Sequence, residues 1–201
     1  AAVKGSADLI VLGSHRHSAV VRFFLGSVAA QVALQAPCPV LVVRGAGTGL
    51  RRVAVGVDGS RNSTQAAAWL GRLPLPADCE GRLVSVPSNL QQIAHAHVLL
   101  TPPLTPETIP LDEWQRQRAA NCLRELAAPL LKSGKCVATE IRSGDAAEVL
   151  QAVATDEGID LLVAGSNDHN ALEHLLVGSV SQQVLRHAPC SVLVVRGACA
   201  A

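Results

Sequence analysis

The sequence predicts an α/β fold: a doubly wound parallel sheet with helices on both faces. Two observations carry this. Short apolar, β-branched runs, the mark of strands buried on both sides, alternate with longer segments of helical period. The chain also repeats itself: residues 8–46 and 160–198 align without a gap at an offset of 152, with 22 of 39 positions identical. A period that long marks a duplicated domain, not a solenoid. Composition agrees. Of 201 residues, 49% are hydrophobic and 16% charged, and the net charge is +1. That apolar content offsets the entropy of ordering and excludes disorder. No apolar run approaches the ~18–20 residues of a membrane helix. A near-neutral chain whose aromatics are Trp69, Trp114, Phe23 and Phe24 offers neither the field nor the stacking platform that nucleic acid needs.

The elements follow in order. Val53–Val57 is a β-branched run ending at Asp58-Gly59-Ser60, and Ser60 is placed to cap a helix from Arg61 to Leu73, stopped by Pro74. Leu83–Val86 is a second strand, ended by Pro87. Residues 87–110 hold five prolines and no periodicity, which reads as a long loop. Leu111, Trp114, Cys122, Leu123, Leu126, Leu130 and Leu131 form the i, i+3/i+4 stripe of one long helix that Gly134 terminates. Cys136–Ile141 alternates as a strand. Ala146–Asp156 then reads as a helix, Ile159–Ala164 as a strand, Ser179–His187 as a helix and Val192–Val195 as the last strand.

The repeat divides the chain into an incomplete first copy (1–46), a linker (47–52) and a complete second copy (53–198). With no methionine and only the last third of the first copy, the expectation is that about 100 residues precede Ala1. The apolar face of residues 7–44 would then lack its cover and promote association. The six cysteines show no C-x-x-C pair and read as reduced, mostly buried thiols in a cytoplasmic protein. Cys38 and Cys190 occupy equivalent Ala-Pro-Cys turns, either as small buried residues or meeting across the repeat axis. His95 and His97 fall in the Pro-rich loop with no third ligand, so no metal site is expected.

In an open α/β sheet, ligands bind at the carboxyl ends of strands where strand order reverses. Asp58 follows the first strand of the second copy, and Gly165-Ser166 follows its fourth. Gly178-Ser179 opens the next helix, where backbone N–H groups and the positive dipole end favour an anion. His15, His17 and His169 flank this region and would be mostly neutral near pH 7. The local pattern equally allows Asp58 to be an Asx-turn residue and Ser179 a simple N-cap.

The runs VAVGVDGS, DLLVAGS, GSVSQQVLRHAPCSVLVVR and its twin GSVAAQVALQAPCPVLVVR resemble the universal stress proteins. The resemblance covers residues 51–196, with the family's C-terminal third again in 7–44. It implies a role in stress response and a flavodoxin/Rossmann-like, doubly wound parallel five-stranded sheet, plus a partial second copy of the same domain. It also implies edge-to-edge pairing through the final strand, here Val40–Val43 against Val192–Val195. Some members bind ATP through G-x2-G-x9-G-[ST] after the fourth strand. The spacing is kept in both copies, but the middle glycine is replaced: Gly165, Asp168, Gly178-Ser179 in one, and Gly13, Arg16, Gly26-Ser27 in the other.

What the resemblance implies is an ATP or AMP site with Asp58 and Val86 at the nucleoside end. Ala164, Gly165, Gly178, Ser179 and Val180 would form the phosphate cradle. A carboxylate at Asp168, about 4 Å from a phosphate charge, would cost ~1 kcal/mol in water and ~4 kcal/mol at an effective dielectric of 20. The expected site is therefore degenerate and weak. Arg16 has the sign that suits phosphate, but the first copy lacks strands to hold a nucleoside. No G-x-x-x-x-G-K-[ST], G-x-G-x-x-G or G-x-S-x-G motif is present, so no catalytic residue is expected. The alternative is a module of the same fold that binds no nucleotide and serves dimerisation or protein interaction, with homo-oligomers in view.

Overall fold

A computed structural model describes residues 7–14, 26–45, 49–87, 111–166 and 178–196. Seven strands form one sheet: β1 (Ile10–Gly13), β2 (Val40–Val43), β3 (Arg52–Val57), β4 (Glu80–Ser85), β5 (Cys136–Ile141), β6 (Leu161–Gly165) and β7 (Ser191–Val195). Five helices cover it: α1 (Ser27–Gln35), α2 (Arg61–Arg72), α3 (Leu111–Lys132), α4 (Ala146–Asp156) and α5 (Ser179–His187). The spatial order is β1-β2-β7-β6-β3-β4-β5. Every neighbouring pair is parallel except β2 and β7, which run antiparallel with Val40 opposite Val194 and Val42 opposite Val192.

Strands β3 to β7 form the expected parallel five-stranded unit, in the Rossmann rather than the flavodoxin order. β1 and β2 extend it to a mixed sheet of seven strands across one antiparallel seam. The unit β1-α1-β2 continues the same sheet because β2 finds the unpaired edge of β7. Residues 88–110, the expected Pro-rich loop, lie outside the described residues, as do His15, Arg16, His17, Asp168, His169 and Cys199.

Local chemistry explains the element ends. Ser60 caps α2, its Oγ accepting from the Ser63 N–H at 3.2 Å, and Asp145 caps α4 through the N–H groups of Ala147 and Glu148. Helix α3 stops at Gly134, whose φ of +79° only glycine adopts readily. Its inner stripe is narrower than the sequence suggested. Leu123, Ala127 and Leu130 are buried, whereas Trp114 and Leu131 are 49% and 53% exposed. Two cores result. Ala33, Val42, Leu150, Leu162, Val184 and Val192 pack on the face of α1, α4 and α5. Val55, Ala66, Leu70, Leu123, Leu161 and Leu193 pack under α2 and α3.

At the antiparallel seam two arginines at equivalent repeat positions grip helices across it. The Arg44 guanidinium donates from Nη1 to the Ala188 carbonyl at 2.6 Å and from Nη2 to that of Leu185, at the C-terminal end of α5. Arg196 donates from Nη2 to Ala33 O of α1 at 3.2 Å. These carbonyls have no intrahelical donor, so each arginine fills a place that the helix itself cannot. The antiparallel register sends Cys38 and Cys190 to opposite ends of the seam, about 20 Å apart at strand rise, so they do not meet. Both are free and buried, and burial pushes the Cys190 thiol up to about 11.

The two sheet edges differ. At β5, Arg82 and Arg142 each bridge Glu140 and Glu157, closing a four-membered ring of alternating charge. At β1, no strand among the described residues pairs with the outer edge. Val11 and Val43 are 58% and 37% exposed, while their repeat equivalents Val163 and Val195 are fully buried. Exposed apolar groups beside an unpaired strand edge favour self-pairing. Sedimentation velocity is expected to show association that rises with protein concentration, and the double variant Val11→Lys, Val43→Lys to sediment more slowly at the same concentration.

Candidate functional site

The Rossmann order places the point where strand connections reverse between β3 and β6, and the carboxyl ends of those strands open into a cavity of about 260 Å³. Asp58, Val86, Ala164, Gly165, Gly178, Ser179 and Val180 all line it. The structure thus brings together the residues from 53–198 expected to form the nucleotide site, except Asp168, which, like His169, lies outside the described residues.

Each wall has a local cause. β3 ends in Asp58-Gly59-Ser60, with Gly59 at φ +80°. Asp58 Oδ1 accepts from the Ser60 N–H at 2.8 Å, so the carboxylate does hold an Asx turn. Desolvation raises its pKa, but hydrogen bonds from Ser60 and Ser63 outweigh that and hold the carboxyl below its ordinary value. It is an anion at neutral pH, aimed at the cavity rim.

Gly165, at the end of β6, is a glycine for a packing reason. A Cβ there would sit 2.6 Å from Asn62 C and 2.7 Å from Ser63 N, inside the first turn of α2. The same contact lets the Asn62 amide donate to the Ser166 carbonyl, while the Ser166 N–H donates to Val195 O at 2.8 Å. Gly13, its equivalent in the first copy, would place a Cβ with nothing within 4 Å.

Gly178 opens α5 without a side-chain cap, as Gly26 does for α1, in contrast to the capped α2 and α4. The serine hydroxyl next to bond there is Ser181, whose Oγ donates back to Gly178 O at 2.9 Å. Ser179 is therefore not the N-cap that the local pattern allowed. The first turn of α5 lines the cavity, and Gly178 brings no side-chain oxygen to its N–H groups, which is the arrangement that favours an anion. Gly13 and Gly26 of the first copy are placed likewise at the ends of β1 and of α1. Nothing is described of the Ser27 side chain.

Sequence reasoning missed the floor. Gly56 lies in mid-strand where a Cβ would come 2.9 Å from Leu150 Cδ1, so α4 drops onto β3 and Leu150, Ala146 and Val84 close the cavity from below. A glycine inside a β-branched run was the available signal. Also missed was a wider groove of about 710 Å³ that shares Asp58 and Val86 and is bounded by Trp114, Arg118 and Cys122 of α3. Arg118 lies over the Trp114 ring at 5.5 Å. Burial pushes the Cys122 thiol up, and Glu125 and Asp58 push it further, so it stays protonated. Among the described residues, no group of three His, Cys, Asp or Glu side chains is arranged to hold a metal ion.

Two expectations follow. Gly165→Ala should lose about 1–3 kcal/mol of stability in urea unfolding, because backbone cannot yield as a flexible side chain does. Gly13→Ala, with open space at the same repeat position, should change far less. Because folding depresses the Asp58 pKa, its stabilisation is present above the ordinary carboxylate range and lost as pH falls through the folded value. The urea midpoint of wild type should therefore exceed that of Asp58→Asn at neutral pH, with the gap closing as acidification protonates the folded carboxylate below the ordinary carboxylate range.

Comparison with known proteins places this architecture. The sequence profile of the universal stress protein family matches residues 1–44 and 49–196. A universal stress protein of Synechocystis sp. is 28% identical over 195 residues, 96% of this chain and 60% of its own length. A Staphylococcus epidermidis relative is 44% identical over 63 residues, 31% of this chain and 38% of that protein. The chain thus spans well under two thirds of these relatives. Among solved structures, a universal stress protein from Archaeoglobus fulgidus superposes with a TM-score of 0.65 at 19% identity, covering 96% of this chain and 64% of that one. A universal stress protein in complex with cAMP matches at TM-score 0.51 and 21% identity, over 74% of this chain and 98% of that one. One from Arabidopsis thaliana with AMP bound matches at 0.52 and 17%, over 72% and 90%. With the family profile matched over nearly the whole chain, the chain belongs to the universal stress protein family.

Proposed function

We propose that this chain is a stress-response protein that binds an adenine nucleotide, AMP or ATP, weakly and without catalysis, in the cavity between β3, β6 and α5. The observation that carries the reading is that an ionised Asp58 and the start of α5, which has no side-chain cap, line one cavity. A carboxylate accepts from ribose hydroxyls or an exocyclic amine, and helix-start N–H groups donate to phosphate. At about 260 Å³ the cavity alone falls short of the roughly 300–1,000 Å³ of small-molecule sites. The adjoining groove of about 710 Å³ supplies the remaining room. Solved relatives with AMP and cAMP support the ligand class. A depressed Asp58 and a protonated Cys122 offer neither a base poised near neutral pH nor a thiolate nucleophile, which favours binding over chemistry.

The reading extends to the repeat. Residues 1–46 and 53–198 are taken as a partial and a complete copy of one domain, joined by pairing of Val40–Val43 with Val192–Val195. One observation favours a second reading, an interaction module without nucleotide: the exposed Val11 and Val43 beside the outer edge of β1. Calorimetric titration with AMP and ATP, with and without magnesium, separates the two. Heat of binding at micromolar to millimolar ligand is expected, and none at millimolar concentration sinks the nucleotide reading. Asp168→Gly should tighten ATP binding by about tenfold or more, the scale of one like-charge pair near a phosphate. An unchanged affinity would remove electrostatic exclusion as the reason for weak binding.

A further inference from the structure

We infer that Arg44, outside the cavity and in the first repeat unit, is a positioning residue for the nucleotide site, acting along α5. The inference rests on the nucleotide reading above and names the element that aims its phosphate-facing wall. Arg44 is 9% exposed and fixed at both of its ends. Its backbone N–H donates to Ser191 Oγ at 3.0 Å, and that hydroxyl donates to Arg44 O at 3.3 Å, so the residue is bolted to the start of β7. Its guanidinium then holds the carbonyls of Leu185 and Ala188 at the C-terminal end of α5. The helix between is nine residues long, about 13 Å, and behaves as a short rod. Its other end is Gly178-Ser179-Val180, the cavity wall.

Three features make the grip positional as well as stabilising. The two carbonyls lie in the last turn and beyond it, so a planar fork that meets both fixes rotation of the helix about its axis as well as its height. In the first turn, the Ser181 Oγ bond to Gly178 O is internal to the helix. The wall that α5 faces is held independently, since Ser166 N–H bonds Val195 O and Asn62 bonds Ser166 O. A slip of α5 would therefore change the distance between its N–H groups and Asp58 directly, and a ligand that spans the two walls would feel it.

The repeat supplies a matched control. Arg196 makes the equivalent grip on Ala33 O of α1, a helix whose start at Gly26 is not part of the cavity lining. Arg196 also follows Val195, which pairs with Gly165, so general loosening near the cavity would show more strongly in Arg196→Ala than in Arg44→Ala. Positioning requires the reverse order.

Binding of adenosine, AMP and ATP is measured on wild type, Arg44→Ala, Arg44→Lys and Arg196→Ala, well below each melting temperature. Amide hydrogen exchange of Gln182, whose N–H bonds Gly178 O at 3.0 Å, is followed on the ligand-free proteins. Arg44→Ala is expected to weaken AMP and ATP by about tenfold while adenosine stays within about twofold. Gln182 exchange should accelerate in the same variant. Arg196→Ala should leave both readouts near wild type. Arg44→Lys, which keeps the charge and loses the fork, should fall between, and it stands in for Arg44→Ala if that variant does not fold. Wild-type affinities in Arg44→Ala, equal losses for adenosine and AMP, or an Arg196→Ala that matches it overturn the inference alone. A wild type that binds none of the three ligands overturns the nucleotide reading and this inference with it.

Discussion

The whole sheet turns on one antiparallel seam. β2 meets β7 in a ladder of only three residue pairs, too short to hold two structural units by backbone hydrogen bonds alone. Its strength comes from what crosses it. Each unit sends one arginine into the other and completes a helix end there. The exchange is reciprocal because Arg44 and Arg196 stand at equivalent positions of the sequence repeat, on strands that run antiparallel. Burying a guanidinium is costly unless its donors are met, and the fork finds carbonyls that lack partners of their own. Each deficit removes the other.

From that seam the rest of the molecule takes its order. β7 is fixed on one side by β2 and on the other by β6, and β6 is fixed by β3. That sequence of neighbours forces the crossover connections to opposite faces and leaves a crevice between β3 and β6 with no helix above it. The cavity is a consequence of strand order. What fills its walls, an ionised carboxylate and a helix start, comes from turn chemistry at Asp58 and Gly178.

Much of this was legible in the sequence because local chemistry decides it. Ser60 and Gly134 end their helices for reasons confined to a few residues, and the 152-residue offset announced the repeat without any geometry. Strand order was not legible in the residues themselves, and the pairing of Val40–Val43 with Val192–Val195, which joins segments far apart in the chain, was expected only from the family resemblance. Trp114 and Leu131 misled for a related reason. Apolar spacing marks a helical face, but only the neighbouring element decides how wide the covered stripe is, and α3 covers the sheet with Leu123, Ala127 and Leu130. At the site, the lining residues with a turn or cap signal could be read in advance. Leu150 and Ala146 could not, because they reach the cavity only through the dip that Gly56 permits.

Gly165 carries one more consequence, for how glycine signatures are weighed in this fold. Its hydrogen is what the first turn of α2 rests against, so selection for folding alone is enough to retain it. A descendant that lost its ligand entirely would keep that glycine and still look competent in an alignment. Gly178 stands instead at a helix start, where a serine or aspartate would cap α5 and occupy the very donors a phosphate would use. The glycine at the helix start is thus the more honest witness of ligand binding, and the glycine at the strand end testifies to packing.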